Sequence, residues 1–127
     1  MPGADPKIIE KIESLEGKKA KYKELKEQPA DTKFKPVPNE VRKAFKEKFG
    51  ANLKNVQVHY GGNAKLIASK LKARAFAVGN NIYFGKKQDA FDPLLLSHEL
   101  THVLQAKGNG KKMPPEQEGK ALACKKS

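Results

Sequence analysis

The apolar positions of this chain change their period several times, and each change marks an element. Ile8, Ile12 and Leu15 fall on one helical face, which Tyr22 and Leu25 roughly continue, with Gly17 interrupting the pattern. Pro29, Pro36 and Pro38 then mark an extended connection. From Asn39, a candidate N-cap, Val41, Phe45 and Phe49 recur at helical spacing through a helix over 40–48, and Gly50 is a natural stop. Residues 55–60 alternate Val56, Val58 and Tyr60 with Asn55, Gln57 and His59, the signature of a half-buried strand closed by Gly61 and Gly62.

Asn63 opens a second predicted helix to Lys72 that buries Leu66, Ile67 and Leu71. Residues 75–84 read as a hairpin about Gly79-Asn80-Asn81, residues suited to the positive φ of a tight turn. Residues 85–91 read as a loop. Asp92-Pro93 supplies an N-cap and a proline at the first helical position of a helix to about Lys107, which Gly108-Asn109-Gly110 ends. A last short helix is predicted from Glu116 to about Cys124. The pattern as a whole is α+β: several helices packed on a short antiparallel sheet. It divides into a Lys-rich N-terminal extension over 1–36, partly helical or disordered and docked loosely or not at all, and a domain over 37–127.

Composition narrows the classes of function. The 127 residues carry 26 Lys and Arg against 14 Asp and Glu, a formal net charge of +12. Such a surface favours anionic partners without naming one. Aromatics are 7% and no nucleic-acid motif is present, so nucleic acid is expected to bind only non-specifically. The single cysteine, Cys124, excludes an internal disulfide and leaves metal ligation to His and carboxylates. Neither a secretory leader nor a membrane-length apolar run is present, so the expectation is a chain made in the cytoplasm, with export by a route needing no such leader left open.

The chemistry concentrates at His98-Glu99-Leu100-Thr101-His102. Residues four apart on a helix lie one above the other, so His98 and His102 can share a zinc ion, while Glu99 reaches a water activated by it. A metal that lowers the pKa of water beside a carboxylate base suits hydrolysis of a peptide bond. Leu96, Leu100, Val103 and Leu104 supply an apolar face distinct from the histidines. A catalytic zinc needs a third protein ligand. Glu118 is the favoured candidate, being further inside the predicted last helix than Glu116. His59 is the remaining histidine: an oxyanion stabiliser, an alternative third ligand, or a hydrogen-bonded structural residue beside Arg74 or the hairpin. Tyr60 and Tyr83 are weaker oxyanion candidates, and Arg74 is expected to order a loop or pair with an acid.

Three separated stretches, VPNEVRKAFKEKFGANLKNVQVHYG, ARAFAVGNNIYFG and LLLSHELTHVLQ, resemble a zinc-metallopeptidase domain of unknown function. That domain occurs in bacterial and some archaeal proteins linked to extracellular contractile injection systems. The resemblance covers about Val37 to Gln105, and thinly to Ala123. It implies a small zincin-like fold with His98 and His102 as ligands, Glu99 as base, and His59 matching the histidine that ends the family's V-x-V-H strand. The family's downstream Glu-Ala-Asp is matched by Glu118-Gly119-Lys120, which keeps the Glu and replaces the Asp by Lys. It also implies an extended peptide lying along an edge strand, for which the 75–84 hairpin or the 55–60 strand is the candidate. The expected function is a zinc-dependent peptidase acting on injection-system cargo or a target protein. The alternative is a non-catalytic loading or interaction module that docks through its basic extension.

Overall fold

A computed structural model describes residues 4–16, 21–105 and 120–125. The described elements run α1 (Pro6–Ser14), β1 (Lys21–Glu24), β2 (Lys33–Pro36), α2 (Asn39–Phe49), β3 (Gln57–Tyr60), α3 (Ala64–Lys70), β4 (Ala73–Val78), β5 (Asn81–Phe84), α4 (Lys87–Ala90), α5 (Pro93–Gln105) and β6 (Lys120–Lys125). The strands form one sheet in the order β1-β6-β4-β5-β3-β2. The α+β reading holds, but the sheet is mixed rather than antiparallel. β3 runs parallel to β5, with Val58 opposite Ile82, and every other neighbour pair is antiparallel. The cause is local: the β4–β5 hairpin turns the chain through half a circle after α3, so its second strand arrives beside β3 in the same direction.

Alternation along the central strands divides the interior in two. Val58, Ala75, Ala77, Ile82 and Phe84 face one way and pack with Leu96, Leu100 and Leu104 of α5, Val41 and Phe45 of α2, and Ile8 and Ile12 of α1. Phe76 and Val78 face the other way, against Ile67, Ala68 and Leu71 of α3. The chain is therefore three layers deep: α1, α2 and α5, then the sheet, then α3. In α3, Leu66 is exposed where burial was expected, and Ile67 with Ala68 takes the core positions.

Several boundaries follow from single residues. Gly50 adopts φ 65° and caps α2 through its N–H to the Lys46 carbonyl at 2.9 Å. Val78 pairs with Asn81, so the hairpin loop is Gly79-Asn80, and only Gly79 takes a positive φ, 59°. Asn63 does not cap α3 with its side chain. Its amide instead clamps the preceding loop, accepting from the Ala30 N–H at 2.8 Å and donating to the Gln28 carbonyl at 2.9 Å.

Three expectations need correction. The N-terminal segment is not loosely attached where it is described. Asp5 caps α1, Pro6 starts it, and Ile8, Ile12 and Leu15 are buried against the rest. Each such side chain contributes roughly 1.5–3 kcal/mol by leaving water, which is ample to hold a nine-residue helix. Residues 85–91 contain the short α4 rather than loop alone. The predicted last helix is replaced by β6 over residues 120–125, inserted between β1 and β4. Ladders on both sides outweigh the helix preference of Lys-Ala-Leu-Ala. No helix among the described residues is long and apolar enough to cross a membrane.

Candidate functional site

α5 starts as its sequence predicts. The Asp92 carboxylate accepts from the N–H groups of Leu94 at 2.9 Å and Leu95 at 3.4 Å, and Pro93 occupies the first turn. The helix is buried on most of its circumference, which requires its polar residues to be satisfied from within. Ser97 donates to the Pro93 carbonyl and Thr101 to the Ser97 carbonyl, each at 2.7 Å. Leu96, Leu100, Val103 and Leu104 face the core, and His98 and His102 lie together on another face.

The two imidazoles meet edge to face, with ring centroids 4.8 Å apart, and their Nε2 atoms are 3.2 Å apart. Two nitrogens bound to one tetrahedral zinc at 2.0–2.1 Å would be separated by about 3.3 Å. The spacing of this pair therefore fits a shared metal. The tautomer fits as well. Gln105 donates its side-chain N–H to the Leu15 carbonyl at 2.5 Å, which turns its amide oxygen toward His102 Nδ1 at 3.1 Å. An amide oxygen only accepts, so Nδ1 carries the proton and Nε2 presents its lone pair. Gln105 was not foreseen as a site residue. Its place three residues after His102, on the same helical face, is the signal that would have found it.

Glu99 is buried beside the pair. Burial raises its carboxyl to about 8, and the positive charge of Arg74 acts against that rise. Arg74 pairs with an acid as expected: its Nε donates to Asp89 of α4 at 3.3 Å, with Asp89 buried and Arg74 half exposed.

His59 is not brought to this cluster. It neighbours Val58 on β3, so it faces the α3 side of the sheet while Val58 faces α5. Its Nε2–H donates to the Asn81 amide oxygen and its Nδ1 accepts from the Thr32 hydroxyl, each at 2.9 Å. The ring stacks on Tyr83 at 4.4 Å. That is the hydrogen-bonded structural placement beside the hairpin. Tyr83 stacks in turn on Phe76, and Tyr60 packs edge-on against Phe91. Glu116 and Glu118 lie outside the described residues, so no third ligand joins the pair among the described residues, where no group of three or more His, Cys, Asp or Glu could hold a metal. Neither the hairpin nor β3 offers a free edge, since each lies inside the sheet. Among the described residues the edges are β1 and β2.

The family model of the eCIS core domain matches residues 36–110, more than half of the 127-residue chain. The matched stretch contains α2 through α5 and the whole His98–His102 motif. No curated protein and no solved structure matches the chain. On the family match, the chain belongs to the eCIS core domain family, which ties it to extracellular contractile injection systems.

Proposed function

We propose that this chain is a zinc-dependent peptidase of an extracellular contractile injection system, acting on a cargo polypeptide or a target protein. The observation that carries the reading is the pair His98 and His102, with Nε2 atoms 3.2 Å apart on one helix and Glu99 between them in sequence. In this reading His98 and His102 hold the metal, and Glu118 completes the protein ligands, with Glu116 as its alternate. A zinc ion held there would supply Lewis acidity toward a peptide carbonyl and would lower the pKa of a water toward neutrality.

The chain's own residues supply the rest. Glu99 takes a proton from the attacking water and delivers it to the nitrogen of the leaving amine. The buried position of Glu99 shields that transfer from bulk solvent. Gln105 fixes the His102 ring in the tautomer that offers Nε2. Arg74 keeps a positive charge near the base, favouring its ionised form. His59 has no catalytic part in this reading, both ring nitrogens being engaged by Thr32 and Asn81.

Metal analysis of the full chain tests the first half of the proposal. One zinc per chain is expected, with loss in His98→Ala and weakening in Glu118→Ala. Glu99→Gln should keep the zinc and lose peptide cleavage. A zinc-loaded wild type that cleaves nothing in a broad peptide library would sink the catalytic half while leaving the metal site standing.

A further inference from the structure

Away from α5, the chain builds a concave surface where α2 meets the loop that follows Gly50. Its volume is about 620 Å³. Buried Ala51 and Leu53 contribute to its lining, together with Arg42, Lys43, Lys46 and Lys54. Three basic side chains outside the groove pair with acids among the described residues: Lys48 with Glu13, Lys70 with Glu27, and Arg74 with Asp89. Within this groove no acid does so among the described residues. Glu40 and Glu47 share α2 with three of these cations yet form no ion pair with them, and Arg42 is held by the Asn39 amide instead, at 2.9 Å.

The arrangement has a cost. Arg42 and Lys46 are four apart on α2, and Lys43 and Lys46 three apart, so like charges neighbour one another, a repulsion that Glu40 and Glu47, three and four residues from Lys43, offset only in part. A cluster of carboxylates would relieve that repulsion. Among the described residues no aromatic side chain lines the groove, so they offer no platform on which bases could stack. We infer that this groove is a docking site for an acidic segment of a partner polypeptide, whose Asp and Glu side chains meet Arg42, Lys43, Lys46 and Lys54. The site is independent of the metal reading and would stand if that reading failed.

The test uses the full chain and a fluorescein-labelled Glu-rich peptide, followed by anisotropy at increasing salt. The peptide should bind at low salt and weaken steeply as salt rises. Lys43→Glu combined with Lys46→Glu and Lys54→Glu should weaken binding about tenfold or more, by replacing attraction with repulsion. A comparison variant with the same charge change elsewhere, Lys7→Glu with Lys65→Glu and Lys86→Glu, should change it far less. The three groove substitutions are on exposed side chains. Their Lys→Gln counterparts provide a milder set, and circular dichroism confirms the fold of each. Equal losses in the groove and comparison variants would overturn the proposal, because affinity would then follow net charge alone. Tighter groove-dependent binding of an oligothymidylate than of the peptide would also overturn it, by making the site one for nucleic acid.

Discussion

Gln105 at the end of α5 donates to the Leu15 carbonyl just past the end of α1, so the N-terminal helix sets the orientation of a side chain that faces His102. Removing that amide takes away the acceptor for the His102 Nδ1 proton. Gln105→Ala should lower zinc affinity by about tenfold or more, the usual scale for an outer hydrogen bond to a metal-binding histidine. Competition against a chromogenic chelator measures it. Unchanged affinity would show that the ring is held by packing alone.

Glu99 makes the stability of the metal-free chain depend on pH. Its folded carboxyl sits at about 8 against an ordinary value of 4.5. The native state therefore keeps a proton that the unfolded state releases. The associated stability is fully present below pH 4.5 and is lost as pH rises through about 8. In chelator-treated protein, wild type should lose on the order of a few kcal/mol across that window relative to Glu99→Gln. Urea unfolding of both proteins between pH 4 and 9 reads the difference, and parallel curves would contradict it.

Gly62 takes φ +54°, and a Cβ there would lie 2.2 Å from the Ala30 carbonyl oxygen. Gly62→Ala must push away the loop that Asn63 clamps. A loss of roughly 1–3 kcal/mol is expected, from strain and overpacking together. Faster amide exchange at Ala30, whose N–H donates to Asn63, would locate the damage.

Ile12 and His59 separate packing from chemistry. Ile12 is buried within the main core, so Ile12→Ala should cost about 2–5 kcal/mol. His59→Ala removes a partner from Thr32 and Asn81 and should also destabilise, by roughly 1–3 kcal/mol, while leaving zinc content unchanged. Loss of zinc in His59→Ala would return that residue to the metal site.

What could be read in advance followed from local signals. Asp92-Pro93, the helical spacing of Leu96, Leu100, Val103 and Leu104, and the turn at Gly79 each act within a few residues, and α5 and the hairpin stand where those signals put them. Non-local pairing was not legible. Residues 120–125 carry helix-favouring Ala, Leu and Lys, and become a strand only because β1 and β4 flank them. β2 is four residues with two lysines and a proline, too short and polar to announce itself. His59 shared its sequence pattern with a site residue, but the parity of its strand position turned it to the α3 side. The two α5 histidines were readable because one helix carries both, and the spacing of Gln105 from His102 was readable for the same reason, whereas the anchoring of Gln105 by Leu15 is a non-local contact.

The pairing of β1 with β6 sets Lys21 opposite Ala123, joining segments from opposite ends of the sequence. Closing so large a loop carries an entropic penalty that local hairpins escape. Folding should therefore complete this edge after the α5 helix and the β4–β5 hairpin have formed. The sheet edge formed by β1 and β6 would then be the last part of the fold to close, and the first to open when the chain begins to unfold.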